Sequence, residues 1–167
     1  VAQTAQREAA DYLLAAETGD VQPAKSPPAY VQGLFDNYAG SFDGHLRDRL
    51  HYRGPELLWQ LFVAHRAQAG ADLDVLDLGC GTGLAGLAFK PCARRLDGID
   101  LSQKMLDLAA DRGIYDQLDR GDIGALLRTR SVHYGLVIAA DVLAYFGDLQ
   151  PLLSAVHSVL KENGLFV

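Results

Sequence analysis

Apolar and polar positions change their period along the chain. Near the start, Ala9, Ala10, Leu13 and Leu14 form a weak stripe that predicts a short helix over Arg7–Glu17, with Gly19 as its stop. Pro23, Pro27 and Pro28 then hold Val21–Ala29 in an extended arm. Beyond it the aromatics Tyr30, Phe35, Tyr38, Phe42 and Tyr52 gather. Leu34 and Tyr38 lie one turn apart, as do Phe42 and Leu46, which predicts two short helices broken near Gly40. Gly54-Pro55 is a helix start, and Leu57, Leu58, Leu61, Phe62 and His65 follow at helical spacing towards a stop at Gly70.

At Asp74 the pattern shortens. Val75–Leu78 reads as a strand, followed by a glycine-rich turn and a helix that stops at Pro91. A strand over Leu96–Leu101 follows, then a helix from Ser102 to Arg112 with Gly113 as its stop. Gln117–Gly121 is a weak strand and Ile123–Arg130 a short helix. Leu136–Ala140 is continuously apolar, as in a strand buried on both faces. A helix from Leu149 to Glu162, with Asp148 as cap and Asn163-Gly164 as stop, leads into a final strand at Leu165–Val167. Strands alternating with helices predict an α/β fold, a doubly wound and mainly parallel sheet, beneath a helical N-terminal cap. The expected organisation is an N-terminal helix and Pro-rich arm over 1–29, the cap over 30–70 and a core over 71–167.

Composition narrows the chemistry. The 167 residues are 49% hydrophobic and 22% charged, as in an ordinary globular domain. Lys plus Arg is 15 against 21 Asp plus Glu, a formal charge of −6, so attraction to nucleic acid would need a local basic patch. Arg94-Arg95 and Arg128–Arg130 are too short to make one. Cys80 and Cys92 allow at most one disulfide and fit a reducing, cytoplasmic setting. No apolar run reaches the roughly 20 residues of a membrane span. No secretory signal opens the chain, but Val1 stands where an initiator methionine is expected, so a removed leader stays open. The five histidines make no metal-ligand spacing, so no metal is expected, and there is neither a P-loop nor a G-x-S-x-G elbow.

The segment Asp77-Leu78-Gly79-Cys80-Gly81-Thr82-Gly83 joins a strand to a helix. Glycines there turn the backbone sharply and bring it close to a ligand. Gly81–Gly86 fits G-x-G-x-x-G, and Asp100, 19 residues after Gly81, ends the next strand where a carboxylate can take a ribose diol. A nucleoside ligand follows more firmly than its identity; a bare packing turn is the alternative. Asp77 at the loop mouth would repel a pyrophosphate but hold an ammonium or water. Asp122 follows the third strand, placed to accept an adenine amino group or to cap a helix. Neither is required of a nicotinamide-dependent oxidoreductase, which remains a rival, as does a non-catalytic binding module.

With Gly98–Leu106, Gly121–Ile123, Leu136–Leu143 and Leu160–Leu165, these stretches resemble the class I methyltransferases that use S-adenosylmethionine. The resemblance implies that Gly79, Gly81 and Gly83 line the methionine part of S-adenosyl-L-methionine and that Asp77 holds its amino group. It implies that Asp100 binds the ribose and that Leu101 and Met105 flank the adenine, although core packing alone would also account for Met105. Asp122 would meet the adenine amino group, Ile123 would stack beside it, and Ala140 would line the cleft. Leu34–Asp43 is similar to the F-D-x-Y-A-x-x-F-D opening of bacterial methyltransferases often fused to tetratricopeptide repeats, which makes Tyr38 the aromatic that closes over the cofactor. No repeat array precedes it here. The family sheet has seven strands, whereas this chain stops at its fifth, so the C-terminal strands are expected to be missing.

Methyl transfer from a sulfonium mainly requires alignment and exclusion of water. A base is needed only when the acceptor carries a proton. Asp141 and His45 are the candidate catalytic groups, with Tyr38 and Tyr145 also titratable near the cleft. After the fourth strand the sequence reads Asp141-Val142-Leu143-Ala144-Tyr145 and not Asn-Pro-Pro-Tyr, which points to a small-molecule acceptor and away from DNA.

Overall fold

The computed structural model describes residues 2–19, 25–65 and 72–167. Helix α1 (Ala2–Thr18) leads, after a segment outside the described residues, to α2 (Pro28–Tyr38). Pro28 sits at the first position of α2, where a missing N–H costs nothing. The proline arm is therefore shorter than expected, and its described end, Lys25–Pro27, packs on the core: Lys25 bridges Phe146 and the Ser26 N–H donates to the Tyr145 carbonyl at 2.9 Å.

The expected break near Gly40 is a run of tight turns. A 3-10 turn (Ala39–Ser41) passes into α3 (Phe42–Gly44) and a π turn (His45–Arg49) before α4 (Gly54–His65). The stop assigned to Gly70 lies outside the described residues.

The core alternates strictly: β1 (Leu73–Leu78), α5 (Leu84–Phe89), β2 (Ala93–Asp100), α6 (Gln103–Asp111), β3 (Gln117–Arg120), α7 (Ile123–Thr129), β4 (Tyr134–Ile138), α8 (Gln150–Val159) and β5 (Leu160–Phe166). The strands pair in the order β3-β2-β1-β4-β5, every pair parallel. This is the doubly wound α/β sheet that the sequence predicts. Alternate residues of each strand serve opposite faces. Val75, Leu136 and Ile138 pack with Phe62 of α4 and Phe89 of α5. Leu76, Leu78 and Val137 pack with Ile123 and Leu127 of α7 and with Leu152 and Val156 of α8. Strand order reverses between β1 and β4, and ligands of such sheets bind at the carboxyl ends of the strands there.

The last element departs from expectation. Helix α8 ends at Val159, and β5 begins at Leu160 instead of Leu165. Tyr134 pairs with Leu160 but Leu136 pairs with Leu165, so Lys161–Gly164 bulge out of register. Asn163 adopts φ 60°, and a side chain on Gly164 would come within 2.9 Å of the Lys161 carbonyl. Asn163-Gly164 thus turns the strand rather than ending the helix.

Candidate functional site

A cavity of about 270 Å³ opens at the carboxyl ends of the strands. Its floor is the loop after β1. Gly79, Gly81 and Gly83 take φ of 64°, 53° and 90°, the left-handed region that favours glycine. A side chain on Gly79 would strike Val142 at 2.5 Å, so loop and β4 end meet there backbone to side chain. The space beside Gly81 is open, bounded by the Phe42 ring at 4.0 Å. Gly79 lines the cavity directly, together with Leu101, Ile123, Ala140, Asp141, Tyr38 and Tyr145.

Asp100 ends β2 with its carboxylate on the cavity wall. The Gly81 and Ser102 N–H groups each donate to it at 2.8 Å, one to each oxygen. Burial pushes its carboxyl above the ordinary value, against the pull of those amides. Both oxygens are thereby fixed in orientation and each keeps a free lone pair.

Asp77 is fully buried behind the loop. Its Oδ2 accepts from the Tyr115 hydroxyl at 2.7 Å, while Oδ1 has no partner. Burial raises its pKa to about 7, the tyrosine bond opposing. An orphaned buried carboxylate oxygen at the foot of the loop suits a cationic group.

Asp122 caps α7: its Oδ1 accepts from the Ala125 N–H at 3.0 Å, and its Oδ2 pairs with Lys25 at 2.9 Å. Burial acts against ionisation, but the Lys25 ammonium and the Ala125 amide outweigh it and hold the carboxyl below its usual range. It borders a smaller hollow of about 50 Å³ beside Leu101 and Ile123. Met105 is buried one turn into α6, with its N–H held by the Ser102 hydroxyl, and does not reach the cavity surface.

The cap closes the cavity from above. Tyr38 lines it with its hydroxyl against His45 Nδ1, so His45 is held behind Tyr38 and not at the surface. Phe42 packs edge-on against Tyr38 at 5.1 Å. Two ties fasten cap to core. Asp43 accepts from the Thr82 hydroxyl at 2.5 Å and from Arg112, and Asp36 accepts from the Ser102 hydroxyl.

Sequence reasoning missed Tyr115, Thr82, Asp43, Arg112 and Tyr52. Thr82 and Asp43 lie within the motifs at Asp77–Gly83 and Leu34–Asp43, but their roles, like those of the other three, depend on partners distant in the chain.

The residues from Val75 to Gly164 match the model of a methyltransferase domain family. The chain belongs to this family. The methyltransferase domain is 30% identical over 105 residues to a probable S-adenosylmethionine-dependent methyltransferase of Saccharomyces cerevisiae, covering 58% of this chain and 35% of that protein. An 18S rRNA (guanine-N(7))-methyltransferase of Arabidopsis thaliana is 39% identical over 111 residues, covering 53% of this chain and 38% of that protein. An S-adenosylmethionine-dependent methyltransferase structure from Clostridium acetobutylicum superposes with a TM-score of 0.61 at 26% identity, covering 80% of this chain and 56% of that one. The methyltransferase domain thus spans well under half of these curated relatives. Among the described residues no helix is long and apolar enough to cross a membrane.

Proposed function

We propose that this methyltransferase domain binds S-adenosylmethionine across the carboxyl ends of β1, β2 and β4 and serves methyl transfer to a small, non-nucleic acceptor in the cytoplasm. The observation that carries the reading is Asp100, pre-oriented on the cavity wall by the Gly81 and Ser102 amides. Its free lone pairs suit the two hydroxyls of a ribose. Gly79, Gly81 and Gly83 leave room for the methionine moiety, and the orphaned Oδ1 of Asp77 suits its ammonium, directly or through water. Leu101 and Ile123 offer apolar faces for the adenine, with Met105 supporting from beneath. Asp122 would take the adenine amino group by sharing its Lys25-bound carboxylate. Ala140 borders the cleft, and Tyr38 shields it from water.

When bound, S-adenosylmethionine supplies a methyl group on a positively charged sulfur, a good leaving group. The protein's part is to hold the acceptor in line and exclude water, which the apolar cap favours. Asp141 on the cavity wall is the nearer proton acceptor; His45 is engaged with Tyr38. The formal charge of −6 supports a small acceptor over a nucleic acid. The two buried cysteines, Cys80 and Cys92, support a reducing compartment.

Calorimetry with S-adenosylhomocysteine tests the assignment. A hydrogen bond to a charged group is worth about 1.5–3 kcal/mol. Asp100→Ala is therefore expected to weaken binding by about one to three orders of magnitude with the fold retained. A loss below about threefold would place the ribose elsewhere.

A further inference from the structure

Leu46, Leu50, Tyr52 and Pro55 line the same cavity yet make none of the cofactor contacts assigned above. They come from the π turn, the link after it and the start of α4, and they share the cavity with Asp141, three residues beyond the end of β4. Tyr52 and Asp141 line the cavity together, and the Asp141 carboxylate disfavours ionisation of the Tyr52 phenol. Burial first, and then that carboxylate, push the phenol well above its ordinary value, so at neutral pH it remains a donor. The ring is seated by the absence of a side chain at Gly54, where a Cβ would fall 2.2 Å from the Tyr52 hydroxyl. Asp141 is held at φ 56°, a conformation that non-glycine residues seldom adopt and that gathers at functional sites.

The charge around this wall is one-sided. Asp100 and Asp141 are the charged residues among those lining the cavity, and both are acidic. Arg112 and Arg47 pair with Asp43, Lys25 with Asp122 and Arg53 with Glu56, and neither these cations nor Arg49 is among the lining residues. An anionic ligand would lose its hydration and meet no counter-charge. A neutral or cationic ligand meets a carboxylate set among aromatic and aliphatic side chains.

We propose that Tyr52 and Asp141 form the acceptor subsite, taking a non-anionic molecule with an apolar body and an amino or hydroxyl group that donates to Asp141. In this subsite the protonated Tyr52 hydroxyl would donate to one oxygen of the carboxylate, leaving the other to accept from the ligand. This rests on the reading of the adjoining cleft as the S-adenosylmethionine site.

The test is calorimetry near neutral pH on protein saturated with S-adenosylhomocysteine, using phenethylamine, 4-ethylphenol and 3-phenylpropionate as matched cationic, neutral and anionic ligands. The first two are expected to bind at least about tenfold more tightly than the third, a difference of about 1.4 kcal/mol. A preference for phenethylamine assigns an amine acceptor, and a preference for 4-ethylphenol a hydroxyl one. Asp141→Asn is expected to weaken the preferred ligand by about tenfold and Tyr52→Phe by about threefold or more, with S-adenosylhomocysteine affinity unchanged in both. Gly54→Ala, which displaces the Tyr52 ring without altering either functional group, is expected to reproduce the loss seen in Tyr52→Phe. Equal or tighter binding of 3-phenylpropionate overturns the proposal. So does failure of all three ligands to bind the saturated protein, or a parallel loss of S-adenosylhomocysteine affinity in Asp141→Asn and Tyr52→Phe. Failure of the unsubstituted protein to bind S-adenosylhomocysteine overturns the cofactor reading, and the subsite with it.

Discussion

Asp77 is under opposing demands. A carboxylate at the end of β1 would serve the ammonium ligand proposed for it, yet the position is wholly buried and one oxygen lacks a partner. Its pKa rises from 3.8 to about 7 because burial disfavours the charged form. The folded state therefore holds this proton more tightly than the unfolded chain. The stabilising contribution is full below about pH 4, falls as pH rises, and is lost by about pH 7. Over about three units at 1.36 kcal/mol each, it amounts to at most about 4 kcal/mol. Urea unfolding from about pH 4 to about pH 8 is expected to show a steeper decline in the natural protein than in Asp77→Asn, which keeps the same-signed contribution of Asp100. Parallel pH profiles would show that Asp77 does not titrate in that range. At this scale the sequence was legible wherever chemistry is local. Gly79, Gly81, Gly83 and Asp100 announce themselves by spacing, and all belong to one strand–loop–helix–strand unit. Tyr115 was not legible, because its bond to Asp77 joins residues 38 apart and depends on how β3's approach packs under the loop.

The cap elements are fastened by side chains and not by sheet. Asp43 holds Thr82 and Arg112, while Asp36 holds the Ser102 that caps α6. Phe42 bounds the open space beside Gly81. Ligand in the cleft would press these elements together from within, as a lid must to exclude water. Limited proteolysis is expected to show cleavage between Tyr30 and Phe42 suppressed several-fold by saturating S-adenosylhomocysteine. Asp43→Ala is expected to speed that cleavage in the free protein. Cleavage indifferent to both would reduce the segment to a structural cap. The start of α4 was readable from Gly54-Pro55, since proline and glycine act on the backbone directly; that of α2 was not, because a proline such as Pro28 suits the first position of a helix as well as an extended arm. The end of α8 was not readable either. Asn163-Gly164 turns a chain equally well in a helix stop and in a strand bulge, and only the pairing of Leu165 with Leu136 decides between them.

Across the whole molecule, five parallel strands ordered β3-β2-β1-β4-β5 bring residues from four separate loops to one crevice. The order follows from alternation of strand and helix with right-handed crossovers, which is why the architecture could be read before any contact was known. Two-faced burial shows in the sequence as the apolar run Leu136–Ala140, although the strand itself starts two residues earlier: β4 is Tyr134–Ile138, and its five residues are all buried. The crevice's charge balance could not be read that way. Which acids face it, and that Lys25, Arg53 and Arg112 are engaged outside it, depends on tertiary packing. Selection between nucleoside ligands is likewise a property of the assembled crevice: the glycine loop and Asp100 admit either a dinucleotide or S-adenosylmethionine, and the buried Asp77 disfavours a pyrophosphate. Parallel calorimetric titrations with S-adenosylhomocysteine and with NAD test the central claim most directly, with Gly81→Val as the control. A valine at φ 53° is strained and fills the open space beside the loop. The expected result is binding of S-adenosylhomocysteine, none of NAD, and loss of the former in a folded Gly81→Val protein. Binding of NAD in preference, or full-strength S-adenosylhomocysteine binding by folded Gly81→Val, would contradict it.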